Sequence, residues 1–393
     1  MKKALKCIIL MSLAIVLATS CSKTKDLVGV DSSKQNELKK INYKPTVINL
    51  SAFDKESFKS LANRKKQNSL TYLRDSIWAN DGGKSFFYET TEIPAVLEET
   101  RRKLYLGAII KGTAALDIDN FVPLQIAASY RNPITMYANF PTDSIYRTVM
   151  PSKIQDLSYL RAALKAGSGI QIQSFSYEQS QFRKTEELKK SFGANLNLGK
   201  ILTVDYLDTL SNSQFNTLVR AEFTQENFSI NIEPPIYEPF LKPNFNLSIF
   251  EGVRPLIVSS VTYGRKGIFI MESDSSYNMV KNTLAVALTL SAELLGESSE
   301  SKLGPAFSAE LKARLTKEQT ATLQNSRMKV YIIGADGRSI VQAVTGGLAG
   351  FAKVLSENGN FTPESPGDIL YYSLNYLDDF ETFRNRFQIN VAN

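Results

Sequence analysis

Histidine does not occur anywhere in this 393-residue sequence. Histidine is the side chain most often used as a general base, as a member of a catalytic triad and as a zinc ligand. Its absence excludes most of the chemistry by which an enzyme would be identified, and leaves a carboxylate-only hydrolase as the residual enzymatic class. No glycine-rich phosphate loop or dinucleotide fingerprint is present either. The sequence therefore predicts a protein that is not an enzyme and that has no catalytic residues, cofactor or metal site.

Cysteine and tryptophan are nearly as scarce. The two cysteines, Cys7 and Cys21, both lie close to the N-terminus. The chain after Cys21 can therefore form no disulfide, thiol nucleophile or thiolate metal site. The single tryptophan is Trp78, for which we expect a packing role rather than a role in contacting a partner.

Strong charge of one sign is also missing. The formal net charge is +7, and removal of the three lysines at the extreme N-terminus would leave 43 basic against 39 acidic residues, about +4. The short runs Arg64-Lys65-Lys66 and Arg101-Arg102-Lys103 have no interleaved aromatic residues. We interpret both runs as solvated surfaces and expect no nucleic-acid partner.

The N-terminus has the features of an export signal. Three lysines precede the apolar run Ile8–Ala18, which is too short to cross a bilayer. Small residues then lead into Cys21, as in bacterial lipoproteins, although Ala18 replaces the preferred leucine. We predict a lipoprotein signal peptide over residues 1–20 and lipidation of Cys21. The alternative is an ordinary signal peptide that is cleaved nearby.

This signal determines the expected location and layout of the protein. The protein would be exported and lipid-anchored at the bacterial cell envelope (outer membrane), or secreted, with a target membrane as its final site. Residues 21–42 are polar and predict a flexible tether. Residues 43–393 are long enough to bury a sizeable core.

The longest predicted strand is Pro255–Glu272, which is rich in β-branched and aromatic residues. Gly264 and Gly267 interrupt it, which predicts a bend, a bulge or a close backbone approach. Further predicted strands are Ala108–Gly112, Ile134–Phe140, Ile170–Tyr177, Phe228–Ile232, Met328–Ile333 and Ile369–Tyr376. Predicted helices are Asp54–Ser69, Glu92–Tyr105, Ser152–Ala166 with Ser152 as N-cap, and Gly346–Glu357.

Two segments, about 182–224 and 275–324, fit both a helical and a strand pattern. Alternation of apolar and polar residues favours two strands and a polar turn in each, although single residues break the pattern in the first. A transmembrane β-strand needs about 9–11 residues of such alternation. We expect helices in the water-soluble protein that can convert to hairpins. The predicted membrane-facing residues are Leu196, Leu198, Leu202, Val204, Leu284, Val286, Leu288, Leu290, Phe307, Leu311 and Leu315.

Several motifs together resemble the cholesterol-dependent (thiol-activated) cytolysins. The run from Pro255 to Arg265 is similar to the "YVSSVAYGR" strand of that family. The similarity begins near residue 100, runs to the end of the chain and keeps the family's order. Its other parts are Tyr105–Lys111, Ile134–Pro141, Glu187–Gly193, Val330–Gly334 and Phe361–Asp379.

The resemblance implies an α+β fold in which two helical clusters flank a bent, twisted antiparallel β-sheet and convert to transmembrane β-hairpins. It also implies a homo-oligomeric ring on membrane lipid. Tyr263, Gly264, Arg265 and Gly334 would be conformational residues at the bend of the core sheet, and a structural ion pair is our expectation for Arg265. The family's C-terminal domain for cholesterol recognition carries a tryptophan-rich loop, and because Trp78 is the only tryptophan here, we expect that domain to be absent. Cholesterol binding is therefore not carried over, and a longer companion with that domain becomes an expected partner.

The predicted function is that of a pore-forming toxin subunit, with no chemistry other than self-assembly. The alternative is a non-lytic surface lipoprotein that uses the same fold for binding, adhesion or immunity. A lysis assay with and without the companion would distinguish the two.

Overall fold

A computed structural model describes most of the chain from residue 47 onwards. The described residues are 47–53, 71–79, 83–116, 119–167, 174–182, 185–189, 197–202, 204–236, 238–286, 313–334, 342–343, 363 and 366–391. The predicted signal peptide, the tether and the predicted helices Asp54–Ser69 and Gly346–Glu357 lie outside these residues.

Fourteen strands occur among the described residues. In chain order they are β1 (Val47–Phe53), β2 (Thr71–Ile77), β3 (Lys84–Thr90), β4 (Glu92–Pro94), β5 (Ile109–Ile110), β6 (Ile134–Ala138), β7 (Tyr146–Val149), β8 (Ser174–Gln181), β9 (Thr217–Ile232), β10 (Leu256–Ser273), β11 (Arg327–Ile333), β12 (Gln342–Ala343), β13 (Asp368–Tyr376) and β14 (Asn385–Val391).

Five α-helices of six or more residues accompany the strands in the described ranges. They are α1 (Glu98–Lys103), α2 (Lys153–Ala166), α3 (Val204–Ser211), α4 (residues 277–286) and α5 (Lys317–Gln324). Short 3-10 turns occur at Gly112–Leu116, Ala128–Tyr130, Thr185–Leu188, Leu198–Lys200 and Leu247–Phe250. No helix in the described ranges is both long enough and apolar enough to cross a membrane.

The larger sheet has ten strands and is organised around β9 and β10. Its main order is β12-β11-β10-β9-β6-β7, and β8 also pairs with β9. β13 and β5 pair with the first half of β10, and β4 pairs with β13. All of these pairs are antiparallel. β10 is therefore the strand to which most of the sheet is attached.

Apolar side chains cover both faces of this sheet. On the first face, Ile268 and Ile270 belong to the main core, and on the second, Phe269 and Met271 belong to a smaller apolar cluster. Successive strand residues point to opposite faces, so this even–odd division means that β10 is buried from both sides. Such burial explains why β10 reads as a nearly continuous run of β-branched and aromatic residues.

A smaller sheet of four strands has the order β1-β14-β3-β2. β1 pairs with β14 in parallel, and the other pairs are antiparallel. The Trp78 indole donates to Ser85 Oγ at 2.7 Å, and Ser85 Oγ donates to Asn390 Oδ1 at 2.7 Å. The tryptophan thus contributes to a hydrogen-bonded link between β3 and β14, in agreement with the expected structural role.

Several predicted elements agree with the structure. β10 and β13 match the predicted strands within one residue at each end, and β11 begins one residue earlier than predicted. Ser152 caps α2, because its side chain accepts from Gln155 N. The strands Ala108–Gly112 and Ile134–Phe140 are present in shorter form as β5 and β6.

Other predictions were wrong or displaced. Residues Glu92–Tyr105 do not form one helix, because β4 occupies their start and only Glu98–Lys103 is helical. The strand predicted at Ile170–Tyr177 is described from Ser174 and extends to Gln181. The strand predicted at Phe228–Ile232 is the end of the sixteen-residue β9, so residues 217–224 already belong to the core sheet.

Candidate functional site

The candidate site is the junction in the middle of β10 where this strand changes partner. Along one edge, β10 pairs with β9 from Ser260 to Ser273. Along the other edge, it pairs with β13 up to Gly264 and with β11 from Lys266 onward. The register against β9 and against β13 shifts next to Tyr263 and Gly264. Bulges of this kind bend a strand and increase its twist.

Three glycines meet at this junction because no side chain fits there. A Cβ atom at Gly264 would lie 2.0 Å from the Gln225 carbonyl oxygen. Gly334 follows β11 with a φ of +83°, and Gly367 precedes β13 with a φ of +88°. An added Cβ atom would lie 2.3 Å from the Gly264 carbonyl oxygen at Gly334, and 2.4 Å from the same oxygen at Gly367. The sequence predicted roles at the bend for Gly264 and Gly334, but it missed Gly367.

Aromatic and amide side chains fill the space around the glycines. The buried Tyr263 ring stacks on Phe228 with a centroid distance of 5.2 Å and an interplanar angle of 20°. Burial raises the pKa of the Tyr263 hydroxyl, so the group stays neutral. At the bulge in β9, Asn227 Nδ2 donates to the Pro366 carbonyl oxygen at 2.9 Å. The bulge is thereby tied to the loop that contains Gly367.

Two buried arginines lie at the same junction. Arg265 is buried, and its Nε donates to the Gly334 carbonyl oxygen at 3.3 Å. Arg101 Nε lies 2.7 Å from Asp368 Oδ2, and its Nη1 donates to the Ala95 carbonyl oxygen. The prediction of a solvated surface was therefore wrong for Arg101. The signal in the sequence was weak, because a charged triplet at a helix end usually faces water.

The N-terminus of α2 adds a second buried ionic group. Asp156 Oδ2 accepts from Leu106 N at 2.6 Å. Burial raises the Asp156 pKa to about 7, against the lowering effects of that hydrogen bond and of Lys153. Lys153 Nζ donates to the carbonyl oxygens of Arg101 and Leu104, both at 2.9 Å. Lys153 thus holds the C-terminal end of α1 against the start of α2.

Two helical groups cover opposite faces of the sheet beyond the junction. On the first face, residues from 182–211 pack into the same core as Ile268 and Ile270. On the second face, α4 and α5 pack over Phe269 and Met271. We refer to these as the first cover (the described part of 182–211) and the second cover (the described part of 277–324). The two covers coincide with the segments whose sequences fit both periods.

The two faces differ in polarity on β9. Val219, Ala221 and Phe223 lie in the apolar cluster of the second face. The alternate residues Arg220 and Glu222 are buried on the first face. Lys266 Nζ lies 2.9 Å from Glu222 Oε1, and Arg220 pairs with Glu178 and lies 3.6 Å from Glu222. One face of these strands is thus apolar, and the other includes a buried group of ion pairs.

The predicted membrane-facing residues are divided between the two covers and the undescribed segments. Leu198 and Leu202 are buried in the first cover, and Leu284 is buried in α4. Val286 and Leu315 pack against the second apolar cluster. Val204 is the first residue of α3. The remaining residues lie outside the described ranges, and they are Leu196, Leu288, Leu290, Phe307 and Leu311.

The junction consists of backbone segments and buried side chains held in close contact. Within the described residues, no group of three or more potential metal ligands occurs. The close contacts between glycines hold the junction together, and the covers bury the faces of β9, β10 and β11. The architecture is α+β, with an antiparallel sheet that has its bulges at the glycine junction and lies between two helical covers.

Comparison with known proteins identifies the family. The model of the thiol-activated cytolysins matches residues 167–386, which is more than half of the chain. The chain therefore belongs to the thiol-activated cytolysin family. Its fold is also similar to that of solved cytolysins. Listeriolysin O matches with a TM-score of 0.60 and suilysin from Streptococcus suis with 0.58, each at 16% identity. These matches cover 91% of this chain and 73% and 74% of the two structures, respectively.

The curated relatives are matched over only part of their length. Listeriolysin O of Listeria monocytogenes is 27% identical over 127 residues, which is 32% of this chain and 20% of that protein. Ivanolysin of Listeria ivanovii is 23% identical over 222 residues, 52% of this chain and 36% of that protein. The aligned region thus spans between a fifth and about a third of these relatives.

Proposed function

We propose that this protein is a pore-forming subunit that assembles into a ring on a target membrane and inserts β-hairpins from its two covers. The observation that carries the proposal is the position of the covers on opposite faces of β9, β10 and β11. Each cover has a sequence that also alternates as a strand would, and each is connected directly to the sheet strands that its hairpin would extend.

Insertion would be driven by burial of apolar surface and by pairing of strand edges. Open strand edges are not tolerated in hydrocarbon, so the few hairpins of one chain cannot span a membrane alone. A closed ring of many copies removes the edges, which makes a homo-oligomer part of the proposal. In each inserted hairpin, one face would contact lipid and the other would line the water-filled side.

A disulfide engineered between positions 185 and 211, after replacement of Thr185 and Ser211 by cysteine, tests the conversion of the first cover. The two hydroxyl oxygens lie 3.5 Å apart in the structure. Gln181 pairs with Val219, so an extended hairpin in the same register would place residue 185 opposite 215 and residue 211 opposite 189. Thr185 and Ser211 would then be offset by four residues, roughly 13 Å at about 3.3 Å per residue. A disulfide limits its two Cα atoms to about 4.4–6.8 Å.

We expect oxidised Thr185→Cys/Ser211→Cys protein to bind membranes and to lose dye release from vesicles, and we expect reduction to restore the release. Each single substitution serves as a control for the loss of the hydroxyl groups. Full dye release by the oxidised double variant, with the disulfide verified by mass, would refute the conversion. Electron microscopy of the same membranes would show whether rings form before insertion.

The cellular context is a further part of the proposal. We infer that Cys21 is lipidated and that the protein is exported to the bacterial envelope before it reaches its target membrane. Retained labelling by a fatty acid in a Cys21→Ser variant would contradict this.

We also infer that a longer cytolysin-like companion supplies membrane recognition. The companion should lower the protein concentration needed for dye release, and equal release with and without it would exclude that role.

A further inference from the structure

A cavity of about 410 Å³ lies where the end of α1, the start of α2 and the segment 123–131 meet. Three of its lining residues are cationic, namely Lys103, Arg131 and Lys153. No aspartate or glutamate is among the lining residues. A volume of this size is within the range of small-molecule sites, about 300–1,000 Å³.

Arg131 is the most informative of the three cations. The residue is only 5% exposed. Its Nη2 donates to the Gly107 carbonyl oxygen, whereas its Nε has no hydrogen-bond acceptor in the described part of the chain. No described carboxylate forms an ion pair with its guanidinium. Burial of a charge is costly unless a counter-charge and hydrogen bonds compensate for it. A missing counter-ion would resolve both deficiencies of Arg131.

The start of α2 contributes a second, independent attraction for an anion. α2 is 14 residues long, and its N-cap Ser152 lines the cavity. The N-terminus of a helix carries a partial positive charge and favours anions. Lys153 Nζ donates two of its three protons to the carbonyl oxygens of Arg101 and Leu104. Asp156, in the first turn of the same helix, also attracts this ammonium, so Lys153 contributes positive charge to the cavity wall but is not an unsatisfied group.

The rest of the lining is largely apolar and includes Leu124, Ile126 and Met150. An anion with several oxygens would satisfy Arg131 and the helix terminus, because guanidinium and helix N-termini both suit phosphate geometry. Lys103 and Lys153, which already have protein partners, would add attraction at longer range. The apolar wall would accommodate the organic part of the same molecule. We propose that this cavity binds a phosphate group, either of a small soluble phosphate or of a lipid headgroup. The site is independent of pore formation and would be present in the water-soluble chain.

Binding of inorganic phosphate to the full chain tests the proposal. Thermal denaturation and titration calorimetry would be performed in phosphate and in chloride of equal ionic strength. We expect stabilisation by phosphate beyond that by chloride. Glycerol 3-phosphate and vesicles of phosphatidylcholine with and without phosphatidic acid identify the source. Stronger binding of glycerol 3-phosphate than of vesicles indicates a soluble ligand, and selective binding of phosphatidic acid vesicles indicates a headgroup.

Two substitutions localise the binding. Lys103→Ala should weaken phosphate binding about two- to fivefold, the value of a partly exposed charge. Arg102→Ala is its matched control, because Arg102 does not line the cavity and forms the same kind of pair, with Glu98, that Lys103 forms with Glu99. Arg131→Lys keeps the charge but removes the fork and should weaken binding about tenfold. Thermal denaturation would verify that this variant is folded. No binding of any phosphate by the wild-type chain would overturn the site, as would equal binding by Lys103→Ala and Arg102→Ala.

Discussion

At the scale of single residues, the carbonyl oxygen of Gly264 determines how closely three chain segments approach one another. Gly334 and Gly367 reach it from two different strands, and both have a positive φ. A methyl group at either position would meet a backbone atom, which cannot move as the end of a flexible side chain can. The bend is therefore a contact between backbones and depends on the absence of side chains.

Gly334→Ala measures the importance of this contact. The matched control is Gly252→Ala, because Gly252 has a φ of +72° and an added Cβ would meet no atom within 4 Å. The control should lose about 1 kcal/mol of unfolding free energy through backbone strain alone. Gly334→Ala should lose about 1–3 kcal/mol more through the clash with Gly264. Urea unfolding of both variants gives the difference, and equal losses would exclude a tight contact at the junction.

Asp156 predicts a specific dependence of stability on pH. Burial of the carboxyl raises its pKa in the folded protein to about 7, well above the ordinary value of an aspartate. The folded state therefore binds more protons than the unfolded state between about pH 4 and 7, and the stability contributed by this group falls as pH rises through that range. The full loss is about 4 kcal/mol at about 1.36 kcal/mol per pKa unit.

Asp156→Asn removes this titration and keeps an oxygen that accepts from Leu106 N. Relative to the wild type, the variant should gain stability between pH 4 and pH 7 and show a constant difference above pH 8. Unfolding free energies measured across this range test the sign. A difference that does not vary with pH would show that Asp156 is ionised at its ordinary pKa in the folded protein.

At the scale of elements, the ion pairs on the first face of β8, β9 and β10 lie where a hydrophobic core would be expected. Lys266 and Glu222 are both nearly inaccessible to solvent. Burial opposes the charge of Lys266, but the attraction of Glu222 and Tyr371 outweighs it and raises the lysine pKa. Removing one partner of a buried pair leaves the other charge without compensation, which costs about 3–5 kcal/mol.

Glu222→Gln should therefore destabilise the protein by about 3 kcal/mol or more. The control is Glu99→Gln, which breaks the exposed pair between Glu99 and Lys103 at 2.6 Å. An exposed pair contributes about 0–1 kcal/mol. Thermal denaturation of the two variants gives the difference in unfolding free energy between a buried and an exposed ion pair. Similar small losses of unfolding free energy in both variants would mean that water reaches the ion pairs on the first face.

The elements that could be predicted from the sequence are those whose residues are determined locally. β10 and β13 have long runs of strand-forming residues, and α2 begins at a serine N-cap. β14 was missed, because its pairing with β1 and β3 joins the two ends of the chain. Arg101 and Gly367 were missed for a similar reason. Their environments are formed by residues that are distant in sequence, which neither composition nor periodicity records.

At the scale of the whole molecule, the sequence of each cover is compatible with two structures, a helix and a β-hairpin. In the first cover, Tyr206 and Leu210 of α3 are four residues apart and both are buried, as suits a helix. As a strand, residues 202, 204 and 206 would share one face, and residues 203 and 205 would share the other. Local sequence allows both arrangements, so the surroundings of the segment select between them. In water, the helical arrangement of the covers is favoured because it buries the apolar faces of β9, β10 and β11.

Quenching by nitroxide-labelled lipids distinguishes the two periods on a membrane. Single cysteines at positions 202 to 206, in a Cys21→Ser background, would each carry a fluorescent probe. If the first cover becomes a membrane hairpin, probes at 202, 204 and 206 should be quenched by lipid, and probes at 203 and 205 should not. The locked Thr185→Cys/Ser211→Cys background serves as control and should show no lipid quenching at any of the five positions. Quenching confined to 202 and 206 would mean that the segment stays helical on the membrane, and the hairpin proposal for this cover would then be wrong.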